Sequence, residues 1–229
     1  LTQHHKLRRK PITQMETTNP TIERRSITGT VQLRMAEGQD WPEQVEGIAA
    51  VVNERTDIGW FEEEIAPGAF DNALTNSDIR VLGNHDPNIV LGRNTSGTAK
   101  VWVNEAGQLA YSFTPDKENP THVTWVRSIQ RGDITQSSFA FTIQRTEWLH
   151  SDKYGEQGTR RILEVRALYD VSPVTYPAYS GTSIAARDME AIKQEKAAIQ
   201  AEYDEAAQAA QAQIEAKNQI KQTLIDSIK

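Results

Sequence analysis

The chain has 229 residues, 38% of them hydrophobic, with 25 Lys and Arg against 31 Asp and Glu for a formal charge of -6, which suits one sizeable core with an appendage and does not advertise nucleic-acid or anionic-membrane binding. It contains no cysteine, which excludes disulfides, thiolate nucleophiles and cysteine-ligated zinc and suits a reducing compartment. No apolar run approaches the roughly 18 residues of a membrane span, and the basic stretch His4 to Lys10 is not followed by an apolar signal core, so we read a soluble intracellular protein.

Residues 1–25 are polar, Thr-rich and basic, with Pro11 and Pro20 and no hydrophobic period, and read as a flexible leader. The folded body is expected from Ser26 to residue 186. Within it, alternating or apolar runs at 27–35, 45–52, 79–82, 100–103, 109–113, 134–143 and 161–171 predict short strands. Gly, Pro, Asn and Asp turns separate them, a pattern that argues for a mainly β barrel or sandwich. Two helices interrupt it. One is short, over Pro67 to Leu74; the other starts at Asn119-Pro120, an N-cap followed by proline at the first helical position, and stops at Gly132. From 187 to 229 the composition shifts to Ala, Gln, Glu and Lys without Gly or Pro, which predicts a long helical tail. Ile192, Ile199 and Ala206 fall at heptad spacing but Gln213 breaks the series, so the tail reads either as a solvated helix or as a partner-binding one.

Five histidines are available. His4 and His5 lie in the leader, His122 near the apolar stripe of the second helix and His150 in a polar hairpin, and all four read as packed or solvated. His85 differs. It follows an apolar strand and opens the turn Asn84-His85-Asp86-Pro87-Asn88, and a strand end beside a turn is where a rigid scaffold presents an imidazole. A metal site on His85 and Asp86 is disfavoured, because neighbours on an extended chain point to opposite faces and no HxxxH or HExxH spacing exists. We therefore expect no metal and no cofactor.

The run Ser137-Ser138-Phe139-Ala140-Phe141-Thr142-Ile143 can hold a nucleophile. Strand alternation puts Ser137, Phe139, Phe141 and Ile143 on one face and Ser138, Ala140 and Thr142 on the other. With the aromatic face buried, Ser138 points out to where a peptide could approach and Ser137 lies in or near the core. Periodicity thus nominates Ser138 over Ser137, although a plain strand with surface hydroxyls fits the same pattern.

Several motifs resemble one known family in order and spacing: Gly47-Ile48-Ala49 through Asn53, Phe61 to Phe70, Asn84-His85-Asp86 with Leu91-Gly92-Arg93, Ser138-Phe139-Ala140-Phe141, and Tyr169 to Val174 with Tyr176-Pro177-Ala178. Together they resemble the HK97-type phage prohead (capsid maturation) proteases, which are related to the herpesvirus assemblin-like peptidases. Ala140 stands where that family often has glycine.

The resemblance implies a mainly β (α+β) fold, a closed β barrel with surrounding helices, with the long C-terminal helix outside the match. With the composition of the two ends, which lie outside the match, the chain divides into a leader (1–25), a serine peptidase domain (26–186) and a helical tail (187–229). The resemblance also implies a serine endopeptidase that cuts scaffold or the N-terminal segments of the major capsid protein, and itself, inside the assembling procapsid in the host cytoplasm. Its partners would be the major capsid protein, scaffold segments and copies of itself, with no nucleic acid and no membrane. Carried over by motif, Ser138 matches the nucleophile and His85 the general base. The third member is acidic, with Asp170 favoured over Glu164 because Asp170 lies inside the matching motif. Two alternatives belong to other classes: a non-enzymatic capsid scaffold that retains the fold, and a metal-dependent hydrolase.

Overall fold

Alternating runs become strands, and the computed structural model describes them over residues 11–16, 21–27, 31–58, 61–149 and 158–176. In chain order the elements are β1 (Pro11–Glu16), β2 (Glu23–Ile27), β3 (Gln32–Arg34), β4 (Gln44–Val51), β5 (Arg55–Asp57), β6 (Glu62–Ile65), α1 (Asp71–Asn76), β7 (Arg80–Gly83), β8 (Asp86–Arg93), β9 (Ala99–Val103), β10 (Gln108–Phe113), α2 (Pro120–Gln130), β11 (Gln136–Leu149) and β12 (Thr159–Val174). In the C-terminal stretch, positions 193–194, 197–198, 201, 204–205, 208–209 and 211–220 are also described; all are helical and exposed, and the rest of the expected tail helix lies outside the described residues.

The fold is mainly β with a few helices, as expected; among the described residues the strands pair into an eight-stranded and a four-stranded sheet, and no closed barrel is found. The smaller sheet runs β3-β4-β10-β9. The larger is built on the long antiparallel pair β11 and β12, and its register shifts repeatedly between Ala140 and Thr146. Such bulges bend a strand and let its two halves meet different neighbours. The first half of β11 pairs with β2 and the second with β1. Likewise β12 pairs in parallel with β6 near its start and with β7 near its end. The two sheets meet at corners, where the Val31 N–H donates to the Thr135 carbonyl (3.3 Å) and the Asn53 N–H to the Ile65 carbonyl (2.8 Å).

Between the sheets, Phe139 and Phe141 stack at 4.7 Å and Phe70 meets Phe139 edge-on at 5.8 Å. The buried aromatic face expected for β11 is therefore present. Helix α2 starts as anticipated, with the Asn119 side chain accepting from the Thr121 N–H and proline in the first turn. Its buried Trp125 lies against Gly83, where an added Cβ would come within 2.3 Å of the indole. That contact seats the end of β7 on the core.

Strands β1 and β2 occupy much of the stretch read as a leader, and the described parts of 11–25 run along the outer edge of β11. Backbone pairing to the edge of β11 holds them there, joined in β2 by the ion pairs of Glu23 with Arg160 and of Arg25 with Glu63. Strand β6 was equally hidden, because Glu62-Glu63-Glu64 does not look like a strand. Glu63 and Glu64 are nonetheless buried and paired with Arg25, Arg160 and Arg161. A buried charge persists only with such partners.

Candidate active site

Register places the candidate residues before any side chain is considered. Ser138 on β11 lies opposite Ser172 on β12, and Ala140 opposite Asp170. Residues two apart share a face, so Ser138, Asp170 and Ser172 belong to one face of the sheet. On the far side of β12, β7 pairs through Arg80 and Val81 with Asp170 and Val171, and the β7–β8 hairpin turns back over that face.

The turn itself is Asn84-His85, with φ of 55° and 58°, between the paired residues Gly83 and Asp86. Two left-handed central residues are the geometry of a tight two-residue hairpin whose twist matches the strands. Asn84 clamps the turn onto the end of β12. Its N–H donates to the Pro173 carbonyl (3.1 Å), its side-chain oxygen accepts from the Thr175 N–H (2.8 Å) and its amide nitrogen reaches the Thr175 hydroxyl (3.0 Å).

His85 is thereby set between two partners. Its Nδ1 lies 2.6 Å from Asp170 Oδ1 and its Nε2 lies 2.6 Å from Ser138 Oγ. A carboxylate only accepts, so Nδ1 carries the proton and Nε2 is left with a lone pair facing the hydroxyl. Ser172, which the sequence reading passed over, donates to the same Asp170 Oδ1 at 2.7 Å and lies 3.4 Å from Nδ1. Its signal was its place two residues after Asp170 on one strand. The imidazole and carboxyl side chains are only 12% and 8% exposed, and in such a setting hydrogen bonds to charge are strong.

The remaining candidates are engaged elsewhere. Glu164 faces Arg145 across the β11–β12 ladder, with their charged groups 3.8 Å apart and both part-exposed. Asp86 accepts from the N–H and side chain of Asn88. Buried His122 accepts from the Asp116 N–H on Nδ1 (2.9 Å), which leaves Nε2 to donate to the Val90 carbonyl (3.1 Å). It is a structural histidine. His4, His5 and His150 lie outside the described residues.

The two serines divide as periodicity suggested in direction but not in exposure. Ser137 is fully buried and its hydroxyl lies 2.9 Å from the Tyr111 hydroxyl of the other sheet, where burial pushes the Tyr111 pKa up. Ser138 was expected to face open space; it is only 1% exposed. It lies between the His85 imidazole, 2.6 Å from Oγ, and β2, which pairs along Ser137 to Phe141 and brings the Arg25 carbonyl to 2.8 Å from Oγ.

A hydroxyl, an imidazole with a free Nε2 and a buried carboxylate in series can move one proton from oxygen to nitrogen, as activation of a serine nucleophile requires. No curated protein matches the chain. Among solved structures, that of the bacteriophage T4 capsid assembly protease aligns with 13% identity and a TM-score of 0.45, over 70% of this chain and 100% of that one. A family model described as caudovirus prohead serine protease matches residues 30–195, and the chain belongs to that family.

Proposed function

We propose that the chain is the capsid maturation endopeptidase of a tailed phage, with Ser138 as nucleophile, His85 as general base and then acid, and Asp170 as the group that orients the imidazole. The observation that carries this reading is the unbroken series Asp170, His85, Ser138, with 2.6 Å at each step. The Ser138 oxygen attacks a peptide carbonyl while its proton passes to His85 Nε2. The imidazolium, stabilised by Asp170, returns that proton to the leaving amine, and water then releases the acyl group by the same route. Ser172 supports the third member by holding the carboxylate.

Family membership supports scaffold or capsid-protein N-terminal segments as substrates, self-cleavage as a further activity, self-association, and action inside the assembling procapsid. It gives no reason to expect a cofactor. Residues 26–186 are proposed as the peptidase unit and the stretch from 187 as a long helix that directs the enzyme into the procapsid or binds scaffold.

The test is a pair of variants on adjacent residues. Ser138→Ala should cut turnover on the phage's capsid protein by a factor on the order of 10^4 to 10^6 and abolish labelling by a serine-directed phosphonate. Ser137→Ala should keep turnover and instead lose about 1–3 kcal/mol of stability, because it strands the Tyr111 hydroxyl. The reverse order of activities in two folded proteins would overturn the assignment. Activity in chelator separates it from a metal-dependent hydrolase, and absence of any cleavage would favour a scaffold role.

A further inference from the structure

Among the described residues, the side-chain oxygen Oε1 of Gln136 is enclosed and has no hydrogen-bond partner. An acceptor left in that state costs free energy that folding does not recover, and it calls for a donor that the free protein lacks. Gln136 opens β11 and stands two residues before Ser138. The register from Gln136 to Ala140 is unbroken, so Gln136 and Ser138 share the face that also carries Asp170 and Ser172.

The chain on both sides of Gln136 is held by the smaller sheet. The Val31 N–H donates to the Thr135 carbonyl (3.3 Å), and the Ser137 hydroxyl lies 2.9 Å from that of Tyr111. Across the ladder Gln136 faces the buried Val174 of β12, after which Thr175 and Tyr176 are exposed. On its other edge the described pairing of β2 ends at Ile27, opposite Ser137. Gln136 therefore sits where the catalytic face runs out to solvent, beside an apolar floor. The residue as a whole is only half-buried and the terminal torsion of a glutamine is broad, so a small turn presents the oxygen outward. Thr142 Oγ1 also lacks a partner, but Thr142 is fully buried beyond the first register shift of β11, closed to a bound peptide.

Reach decides what the oxygen meets. Two residues along a strand span about 6.6 Å, and two residues of an extended peptide span the same. With the scissile carbonyl at Ser138 Oγ, a peptide running along this face brings its backbone two residues from that bond beside Gln136. Every peptide residue except proline offers one N–H there.

We propose that Gln136 is a substrate-binding residue: its Oε1 accepts the backbone N–H of the peptide residue two positions from the scissile bond and so fixes the register of the segment against Ser138. The proposal deepens the peptidase reading and rests on Ser138 as the nucleophile. A bond to the peptide backbone tolerates any side chain at that position but rejects proline, which has no N–H.

The test is a cycle that pairs Gln136→Met, which keeps the length of the side chain and removes the acceptor, with a capsid-protein peptide N-methylated at each residue around the scissile bond in turn. Gln136→Met should raise KM about tenfold and leave kcat within about twofold, because the bond holds ground state and transition state alike. At one position, two residues from the bond, N-methylation should cost wild type about tenfold in kcat/KM and the variant nothing further. A small fluorophosphonate, which has no such N–H, should label Ser138 at the same rate in both proteins. An unchanged KM in Gln136→Met, or N-methyl costs that add in full at every position, overturns the subsite while leaving the nucleophile in place. If the methionine variant does not fold, Gln136→Ala carries the same cycle with the same outcomes. Labelling of wild type at a residue other than Ser138 overturns the nucleophile reading, and the subsite with it.

Discussion

Asp170→Asn replaces one carboxylate oxygen by an amide nitrogen and tests the orientation of the imidazole directly. The carboxylate oxygen Oδ1 accepts from both His85 Nδ1 (2.6 Å) and Ser172 Oγ (2.7 Å). An amide keeps one oxygen. If the amide nitrogen takes the place of Oδ1, it faces Nδ1 as a donor, and Nδ1 must then accept. The ring proton moves to Nε2, which faces Ser138 and can no longer take its proton. If the oxygen keeps Nδ1 instead, the tautomer survives but the imidazolium formed in the reaction loses its opposing charge. Either outcome weakens the base, and a loss on the order of 10^3 to 10^4 in kcat is expected, as for orienting carboxylates in other triads. At about 1.4 kcal/mol per decade this is roughly 4–5.5 kcal/mol of barrier. Steady-state cleavage of a capsid-protein segment reads kcat, and circular dichroism checks the fold. Glu164→Gln is the control. Its partner Arg145 is part-exposed, a pair worth about 0–1 kcal/mol and no activity. Turnover within about tenfold of wild type in folded Asp170→Asn, with collapse in Glu164→Gln, would refute the reasoning.

Gly83→Ala should unseat the hairpin that carries His85, because the new Cβ would lie 2.3 Å from the Trp125 ring and 2.6 Å from Ile89; overpacking of this kind costs about 1–3 kcal/mol, and thermal unfolding together with kcat should both fall. Glu23 would have its pKa raised by burial alone, but Arg160 and Arg25 outweigh that and hold it below the ordinary carboxylate range. A lowered carboxylate contributes stability above its ordinary value and loses it as pH falls through the lowered one, so amide exchange of β2 should quicken on acidification below about pH 4.5, and a Glu23→Gln chain that kept the same acid response would contradict this. Truncation after residue 195, where the family match ends, should spare cleavage of a free peptide and impair incorporation into procapsids; a folded but inactive product would place the tail within the catalytic unit.

Much of the scaffold was legible because its signals are local. The period of two over Phe139, Phe141 and Ile143 marked β11 and its core face, and Asn119-Pro120 marked the start of α2. The elements that escaped are those stabilised by partners distant in sequence. Strand β6 is a run of three glutamates whose burial depends on arginines contributed by β2 and β12, and no window of residues around Glu63 contains that information. Strand β2 is polar for the same reason. Closure into one barrel was expected from the resemblance; the described strands form two sheets that meet at corners, and the bulges after Ala140 let each half of β11 meet a different neighbour.

The candidate site was legible in its residues but not in its surroundings. Motif and alternation led to Ser138, His85 and Asp170, and the geometry brings those three together. Covering of Ser138 by β2 and support of Asp170 by Ser172 are pairings across strands, which periodicity cannot report. The turn was read as too long in an informative way: the reading ran it over Asn84-His85-Asp86-Pro87-Asn88, yet Asn84 and His85 alone make the turn and Asp86 already begins β8. Asparagine tolerates the left-handed region, but histidine at φ 58° carries a strain on the order of 1 kcal/mol. The clamp from Asn84 to Pro173 and Thr175 sustains it, since those bonds fix the turn to the end of the strand that also bears Asp170. The imidazole is thus positioned by backbone geometry and one asparagine. That is why the distance from base to carboxylate is set by the same strand, β12, that supplies the carboxylate.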